Sequence, residues 1–191
     1  VAPIQVVVVP VAQNKEGVLE KAHELYNSLK SMFRAEIDDR DNVSPGFKFN
    51  DWEMKGVPVR IELGPRDIEN GVCVLVRRDT AEKIVVKLDE VEKVIVETLE
   101  KIHNNMFEEC KKRLEEKTTI ATTLDEFVTS MNEHQGFIKA MWCGDPACEE
   151  KIKELTAAKS RCMPFEQEKI SDKCVCCGKP ADKMVIWGRQ Y

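Results

Sequence analysis

Near the start of the chain, Ile4-Gln5-Val6-Val7-Val8-Val9 runs into Pro10. No other stretch constrains the fold as strongly. It is short, β-branched and almost wholly apolar, so it reads as a strand buried on both faces, the habit of strands in parallel sheets covered by helices. A helix should follow, with Asn14 as its cap. Its apolar positions Val18, Leu19, Ala22, Leu25, Tyr26, Leu29, Met32 and Phe33 recur at helical spacing. Ala35 to Asp38 reads as the next strand. A β-α-β opening of this kind has a right-handed crossover.

Val57 to Leu63 alternates strictly. Val57, Val59, Ile61 and Leu63 point one way and Pro58, Arg60 and Glu62 the other, so one face packs and the other presents charge. Pro58 marks a strand start or a sheet edge. Val72–Val76 and Lys83–Val86 read as further strands around a turn at Arg78–Ala81. A long helix is predicted from Asp89 to Glu116, with Val91, Val94, Ile95, Leu99, Ile102, Met106, Phe107, Cys110 and Leu114 as its apolar stripe. It is long enough to link two domains. The Thr-rich run Lys117–Thr123 reads as a boundary. Thr123-Leu-Asp-Glu126 is a capping box for a helix through about Met131. Phe137–Trp142 reads as a strand, Asp145-Pro146 as the cap and first position of another helix, and Arg161–Phe165 and Met184–Trp187 as closing strands.

The most informative stretch for function is residues 38–67. Charges of both signs crowd between Pro45, Gly46, Gly56, Pro58, Gly64 and Pro65. The formal charge of −5 argues against sequence-blind phosphate binding, which calls for a basic surface. Reading of bases is a different matter. The Watson–Crick edge of an extruded guanine offers two neighbouring donors and one acceptor. A carboxylate can accept from the donors, and a Lys or Arg can donate to the oxygen, while an aromatic ring stacks on the base. Asp39, Asp41, Glu53 and Glu62 are candidate acceptors. Arg40, Lys48, Lys55, Arg60 and Arg66 are candidate donors, and Phe47, Phe49 and Trp52 candidate stacking platforms. Each charge could equally serve a solvated face or a local ion pair, and the aromatics could be core.

Cysteines carry the second signal. Cys143-Gly-Asp-Pro-Ala-Cys148 and Cys174-Val-Cys176-Cys177-Gly178 are separated by 25 residues. The pairing suits a structural zinc held by Cys143, Cys148, Cys174 and either Cys177 or Cys176, with Cys177 favoured by the turn geometry of Cys-x-x-Cys-Gly. Cys148 falls in the first turn of a predicted helix, where the dipole favours a thiolate. Free core thiols, or disulfides in a secreted protein, are the alternatives. Cys73, Cys110 and Cys162 read as core residues. The eight cysteines come without a secretory signal, since Ile4–Val9 is too short and has no basic flank. They point to a reducing, cytoplasmic setting. No apolar run approaches the ~20 residues of a membrane span. His23, His103 and His134 lie far apart and read as ordinary histidines.

The segment Asp39-Arg-Asp-Asn-Val-Ser-Pro-Gly-Phe-Lys-Phe-Asn-Asp-Trp-Glu-Met-Lys-Gly-Val-Pro-Val-Arg-Ile-Glu-Leu-Gly-Pro-Arg-Asp67, with Val76-Arg-Arg-Asp-Thr80, the cysteine-bearing tail and the ending Trp187-Gly-Arg-Gln-Tyr191, closely resembles the prolyl-tRNA synthetases of the eukaryotic and archaeal-like type. The resemblance spans essentially the whole chain. It implies an α/β anticodon-binding domain over residues 1–105, a mixed sheet flanked by helices shared with the class II synthetases for His, Gly, Thr and Pro. A small α/β zinc-binding domain over 106–191 is implied to follow. It further implies that Arg40, Lys48, Glu53, Lys55, Glu62 and Arg66 face the tRNA(Pro) anticodon stem-loop, whose second and third anticodon positions are guanine. The Tyr191 carboxylate is implied to lie near the catalytic module. The class II catalytic domain, with its ATP, Mg and proline sites, is expected before residue 1, so that catalytic residues are absent here and the parent is a homodimeric proline–tRNA ligase. The three thiols at 174–177 depart from a simple family pattern and leave the fourth zinc ligand open. A zinc-stabilised protein-interaction module without RNA binding is the competing reading.

Overall fold

A computed structural model describes residues 2–134 and 136–189. It divides after Glu108 into two compact units, each a sheet with helices.

The first unit holds a five-stranded sheet in the order β2-β1-β3-β4-β5. Its strands are β1 (Val6–Pro10), β2 (Ala35–Ile37), β3 (Val59–Leu63), β4 (Val72–Arg77) and β5 (Lys83–Lys87). β1 is parallel to β2 and β3, with Val6 opposite Ala35 on one side and Val59 on the other. β4 and β5 are antiparallel additions. The valine strand is therefore central, and every residue of β1 is buried.

Helix α1 (Val18–Leu29) starts from Gly17 in the left-handed region at φ 77°, with no side-chain cap. Asn14 lies in the preceding turn, so the expected Asn14 cap is corrected; a backbone carbonyl opens the helix, Gly17 O accepting from Lys21 N–H at 3.0 Å. α1 packs on one sheet face with α4 (Val91–Glu116), around Leu25, Leu29, Ile61, Leu75 and Ile95.

The other face is covered by α2 (Pro45–Met54), a helix for which the sequence reading gave no element. The Ser44 hydroxyl accepts from Phe47 N–H at 3.3 Å and Pro45 takes the first turn, where its missing N–H costs nothing. Trp52 joins Val7, Val9 and Val57 in a second core beneath α2. This corrects the expectation for β3. Its Arg60 and Glu62 face is not solvated but buried, as is every residue of the strand. Pro58 sits just before β3, which lies inside the sheet and not at its edge. A short helix α3 (Pro65–Glu69) follows, its Asp67 carboxylate accepting from Gly64 N–H at 2.8 Å.

The second unit has a four-stranded sheet, order β6-β7-β9-β8. Its strands are β6 (Thr118–Ile120), β7 (Phe137–Trp142), β8 (Ala158–Cys162) and β9 (Lys183–Arg189). The Thr-rich run thus contains a short strand, β6, parallel to β7, and β8 lies earlier than the expected Arg161–Phe165. Helices α5 (Leu124–Glu133) and α6 (Pro146–Thr156) enclose a core around Phe127, Ile138, Ile152 and Trp187. The Trp187 ring meets Phe127 and Trp142 edge-on, at 5.9 and 6.5 Å. Among the described residues no helix is long and apolar enough to cross a membrane.

Of the three cysteines expected in cores, only Cys73 is buried; Cys110 and Cys162 are exposed. Burial, with Asp67 nearby, pushes the Cys73 thiol up to about 11. The α4 stripe is buried only in its first half, and Met106, Phe107 and Leu114 are exposed. At the start of α5, Glu126 N–H donates to Thr123 Oγ1 at 3.3 Å, while the Glu126 carboxylate accepts from Thr123 N–H at 3.3 Å and from Thr122 N–H at 2.9 Å. Thr123→Ala is expected to lower the stability of this unit by about 1 kcal/mol, read as a shift in its urea midpoint.

Candidate functional site

Helix α2 lies over β3, and this divides the charged segment into two networks. In the first, the Arg60 guanidinium donates to Glu62 Oε1 at 3.1 and 3.0 Å and to Glu53 Oε1 at 2.7 Å. The plane of Arg60 also lies 4.3 Å from the centre of the Phe49 ring, a stacked cation–π contact. Lys83 reaches the other Glu62 oxygen at 3.5 Å. Arg60 and Glu62 are buried, but the Glu53 and Lys83 side chains are 49% and 60% exposed. A hidden ion pair thus underpins an open carboxylate and an open ammonium on one sheet face, beside an aromatic ring.

The second network centres on Asp38, only 2% exposed. Its carboxylate accepts from Arg40 Nε and Nη2 at 2.8 and 2.7 Å and from Trp52 Nε1 at 2.7 Å. Its carbonyl accepts from Lys48 Nζ at 3.1 Å, which also donates to Gln13 Oε1 at 2.9 Å. Arg40 and Lys55 both reach Asp51 Oδ2, at 2.8 and 3.0 Å. Lys55 also lies 4.3 Å above Trp52. Burial pushes the Asp38 carboxyl up, but hydrogen bonds from Arg40 and Trp52 outweigh it and hold it below the usual carboxylate value. Burial lowers Lys48, whose side chain is enclosed and not presented to a ligand. Hydrogen bonds from Lys55 and Arg40 lower Asp51.

Asp39, Asp41 and Arg66 are exposed. Asp39 pairs with His23 at 3.3 Å, and Arg66 stands on α3. Of the aromatic candidates, Phe47 is 54% exposed, Trp52 is core and Phe49 is half-buried beneath Arg60. Sequence reasoning missed Lys83, Asp38, Asp51 and Gln13. The signal for Lys83 was the strand register: Arg60 opposes Val76, which opposes Lys83, so the lysine shares Arg60's face two strands away.

The thiols come together at the far end of the chain. Cys143 follows β7, and Cys148 is in the first turn of α6, behind Pro146 and the Asp145 cap, whose carboxylate accepts from Ala147 N–H at 3.0 Å. Cys174 and Cys177 lie in a tight turn, closed by Cys174 N–H to Lys179 O at 2.7 Å and Gly178 N–H to Cys174 O at 2.9 Å. Gly178 takes φ 71°, where a side chain would be strained. Val175 N–H donates to Met141 O at 2.9 Å, pinning the turn to the end of β7.

The four sulfurs of Cys143, Cys148, Cys174 and Cys177 all lie within 4.8 Å of one another. Cys143 Sγ is 3.7 Å from Cys148 Sγ and 3.8 Å from Cys177 Sγ. Four thiolates at ~2.3 Å from one metal stand about 3.8 Å apart along the edges of a tetrahedron, so this group can hold a metal ion. Burial alone would raise the Cys174 thiol, but the N–H groups of Cys177, Cys176 and Cys143 aim at its sulfur and bring it down to about 7. Cys176 is outside the group. Tyr191 lies outside the described residues.

Residues 5–98 match the family model described as anticodon binding domain, and residues 124–191 match that described as prolyl-tRNA synthetase, C-terminal. Proteins named proline–tRNA ligase are similar over all 191 residues: 58% identical in Clostridium botulinum (strain Okra / Type B1) and in Clostridium novyi (strain NT), and 53% in Ruminiclostridium cellulolyticum. The chain covers about 40% of the length of each of these relatives. The mixed α/β fold class expected from sequence, the two matched models and the identity along the whole chain agree, and the chain belongs to the prolyl-tRNA synthetase family, of which it carries the anticodon-binding and C-terminal domains.

Proposed function

We propose that the chain is the tRNA(Pro)-reading part of a proline–tRNA ligase and that it reads guanine in the anticodon. The observation that carries this is the network of Arg60, Glu62, Glu53 and Lys83 beside Phe49. Glu53 is open to solvent on one side and held by Arg60 on the other. Its carboxylate can take up the two neighbouring donors of a guanine, while the open Lys83 donates to the base oxygen and Phe49 flanks the ring. Because the buried pair already holds these groups, little ordering cost falls on binding. Asp39, Asp41 and Arg66, all exposed, extend the RNA-facing surface. Arg40, Lys48 and Lys55 act from behind by holding α2 in place.

The cluster of Cys143, Cys148, Cys174 and Cys177 binds a structural zinc. A thiolate set of this kind favours zinc over harder ions, and four protein ligands leave no open position for chemistry. Proline activation with ATP and Mg belongs to a catalytic domain in the part of the parent that this chain does not span. That parent is a cytoplasmic homodimer of the eukaryotic and archaeal-like type, and the Tyr191 carboxylate approaches its catalytic domain.

The test is a titration of the chain with the proline anticodon stem-loop and with a guanine-to-adenine variant at the second or third anticodon position. The variant is expected to bind roughly 5- to 150-fold more weakly, the equivalent of ~1–3 kcal/mol per base contact. Arg60→Gln and Glu53→Gln should shrink that ratio more than they shrink affinity itself. Equal affinity for the two stem-loops rejects base reading. Absence of RNA binding with one zinc per chain would favour a zinc-stabilised protein-interaction module.

A further inference from the structure

Two arginines stand side by side where β4 ends, and they are used differently. Arg77 donates to Asp79 at 2.7 Å and to Glu82 at 3.2 Å. Arg78 is exposed at the turn into β5. Its backbone N–H donates to Pro58 O at 3.0 Å, and its side-chain Nε donates to Glu53 O at 2.9 Å. Among the described residues that carbonyl is the one partner of its guanidinium, and no carboxylate pairs with it. Arg78 borders the same small hollow as Glu53 and Arg60. A cation with no carboxylate of its own thus stands beside the group proposed above to read guanine. Helix capping does not account for it. Glu53 O already accepts from Gly56 N–H at 3.1 Å, so that carbonyl is satisfied without the arginine.

We propose that Arg78 grips a backbone phosphate of the anticodon loop, next to the guanine that Glu53 takes up. The proposal rests on the base-reading function above. A guanidinium is a planar fork of N–H donors. With Nε spent on Glu53 O, the Nη1 and Nη2 groups still present an edge of donors that suits two oxygens of one phosphate. The electrostatics call for such a contact. A nucleotide that brings its base to Glu53 also brings its phosphate towards a carboxylate, on a chain of formal charge −5. An unpaired cation at that point offsets the repulsion. The bonds to Glu53 O and Pro58 O hold the guanidinium in register with the reading carboxylate, so little ordering is left for binding. Phosphate contacts position a nucleic acid and carry no sequence information, so Arg78 supplies grip where Glu53 supplies choice.

The experiment uses the full chain as wild type, Arg78→Gln, Arg78→Lys and Lys93→Gln, each titrated with the proline anticodon stem-loop at low and at fourfold higher salt. Lys93→Gln removes an equal charge from α4, on the sheet face opposite α2. Loss of one phosphate contact lowers the slope of log affinity against log salt by about 0.7. Across the fourfold range wild type should therefore lose roughly 2.6-fold more affinity than Arg78→Gln, while Arg78→Lys and Lys93→Gln keep the wild-type slope. The ratio between the cognate and guanine-to-adenine stem-loops should stay within about twofold of wild type in Arg78→Gln. A wild-type slope in Arg78→Gln overturns the proposal, and a collapsed ratio with that slope leaves the arginine a brace for Glu53 and nothing more. A second measurement needs no substitution. Phenylglyoxal should modify Arg78 in the free wild-type chain and several-fold more slowly with the stem-loop bound, read by peptide mapping; equal modification also overturns the proposal. If wild type binds neither stem-loop, base reading and the phosphate grip fall together. If it binds the two equally, base reading falls while the slope and the protection still decide on Arg78.

Discussion

Stripping the zinc proposed for the four-cysteine site, or replacing Cys174 with serine, is expected to unfold residues 109–189 while residues 2–108 stay folded. The site joins two segments, 143–148 and 174–177, separated along the chain by α6, β8 and a loop in which most of residues 163–173 are exposed. The second unit is small and has one core cluster, and small domains bury too little surface to be secure alone. Structural zinc supplies ~10–16 kcal/mol of apparent binding free energy, against ~5–15 kcal/mol for the whole stability of an ordinary domain. Loss of the ion should therefore decide the balance. Segment-resolved hydrogen exchange checks this: in chelator, peptides from β7, α6 and β9 should lose protection while those from β1 and β3 keep it. Retained protection in β7 and β9 without metal would show that the thiols are dispensable for folding.

Asp38→Asn should be the most damaging polar change in the first unit, at about 2–3 kcal/mol. An amide can still accept one bond, but it cannot balance Arg40, and its NH2 would face one of the donors that now point at the carboxylate. The change also carries a pH signature. The folded-state pKa of Asp38 lies below the ordinary 3.8, so between the two values the unfolded chain binds the extra proton. Its contribution is complete above that ordinary value and is lost as pH falls through the lower, folded one. Asp79 has the same sign: burial raises it, but Arg77 and Asn105 lower it further. Urea midpoints taken from pH 7 down to pH 3 should fall less steeply in Asp38→Asn than in wild type. Parallel acid limbs in the two proteins would remove Asp38 from this account.

Much of the scaffold was legible in the residues. β1 announced itself through four consecutive valines, and Thr123/Glu126 and Asp145/Pro146 marked two helix starts through local chemistry alone. What failed did so because periodicity shows which residues share a face and not what covers that face. The alternation in β3 separated Arg60 and Glu62 correctly, yet nothing in it revealed that α2 would lie on top. α2 itself was hidden because Lys48 and Trp52 are its buried residues, so its inner face does not look apolar. β6 was missed because three residues, Thr118–Ile120, are too few to show a period. The exposed Cys110 and Cys162 continue apolar patterns that the second half of α4 and the end of β8 do not bury. Within the candidate site, the charged residues of 38–67 could be named, but not sorted into those that meet solvent, such as Glu53, and those that hold others in place, such as Asp38.

The central position of β1 has a consequence for synthesis. Val6 cannot pair on its second side until Val59 is available, some fifty residues later in the chain. A nascent polypeptide emerging amino end first must carry Val6–Val9 through that interval as an uncapped, sticky strand, the kind of segment that seeds intermolecular association. Slow, long-range closure of this sort leaves β1 paired on one side only until β3 leaves the ribosome.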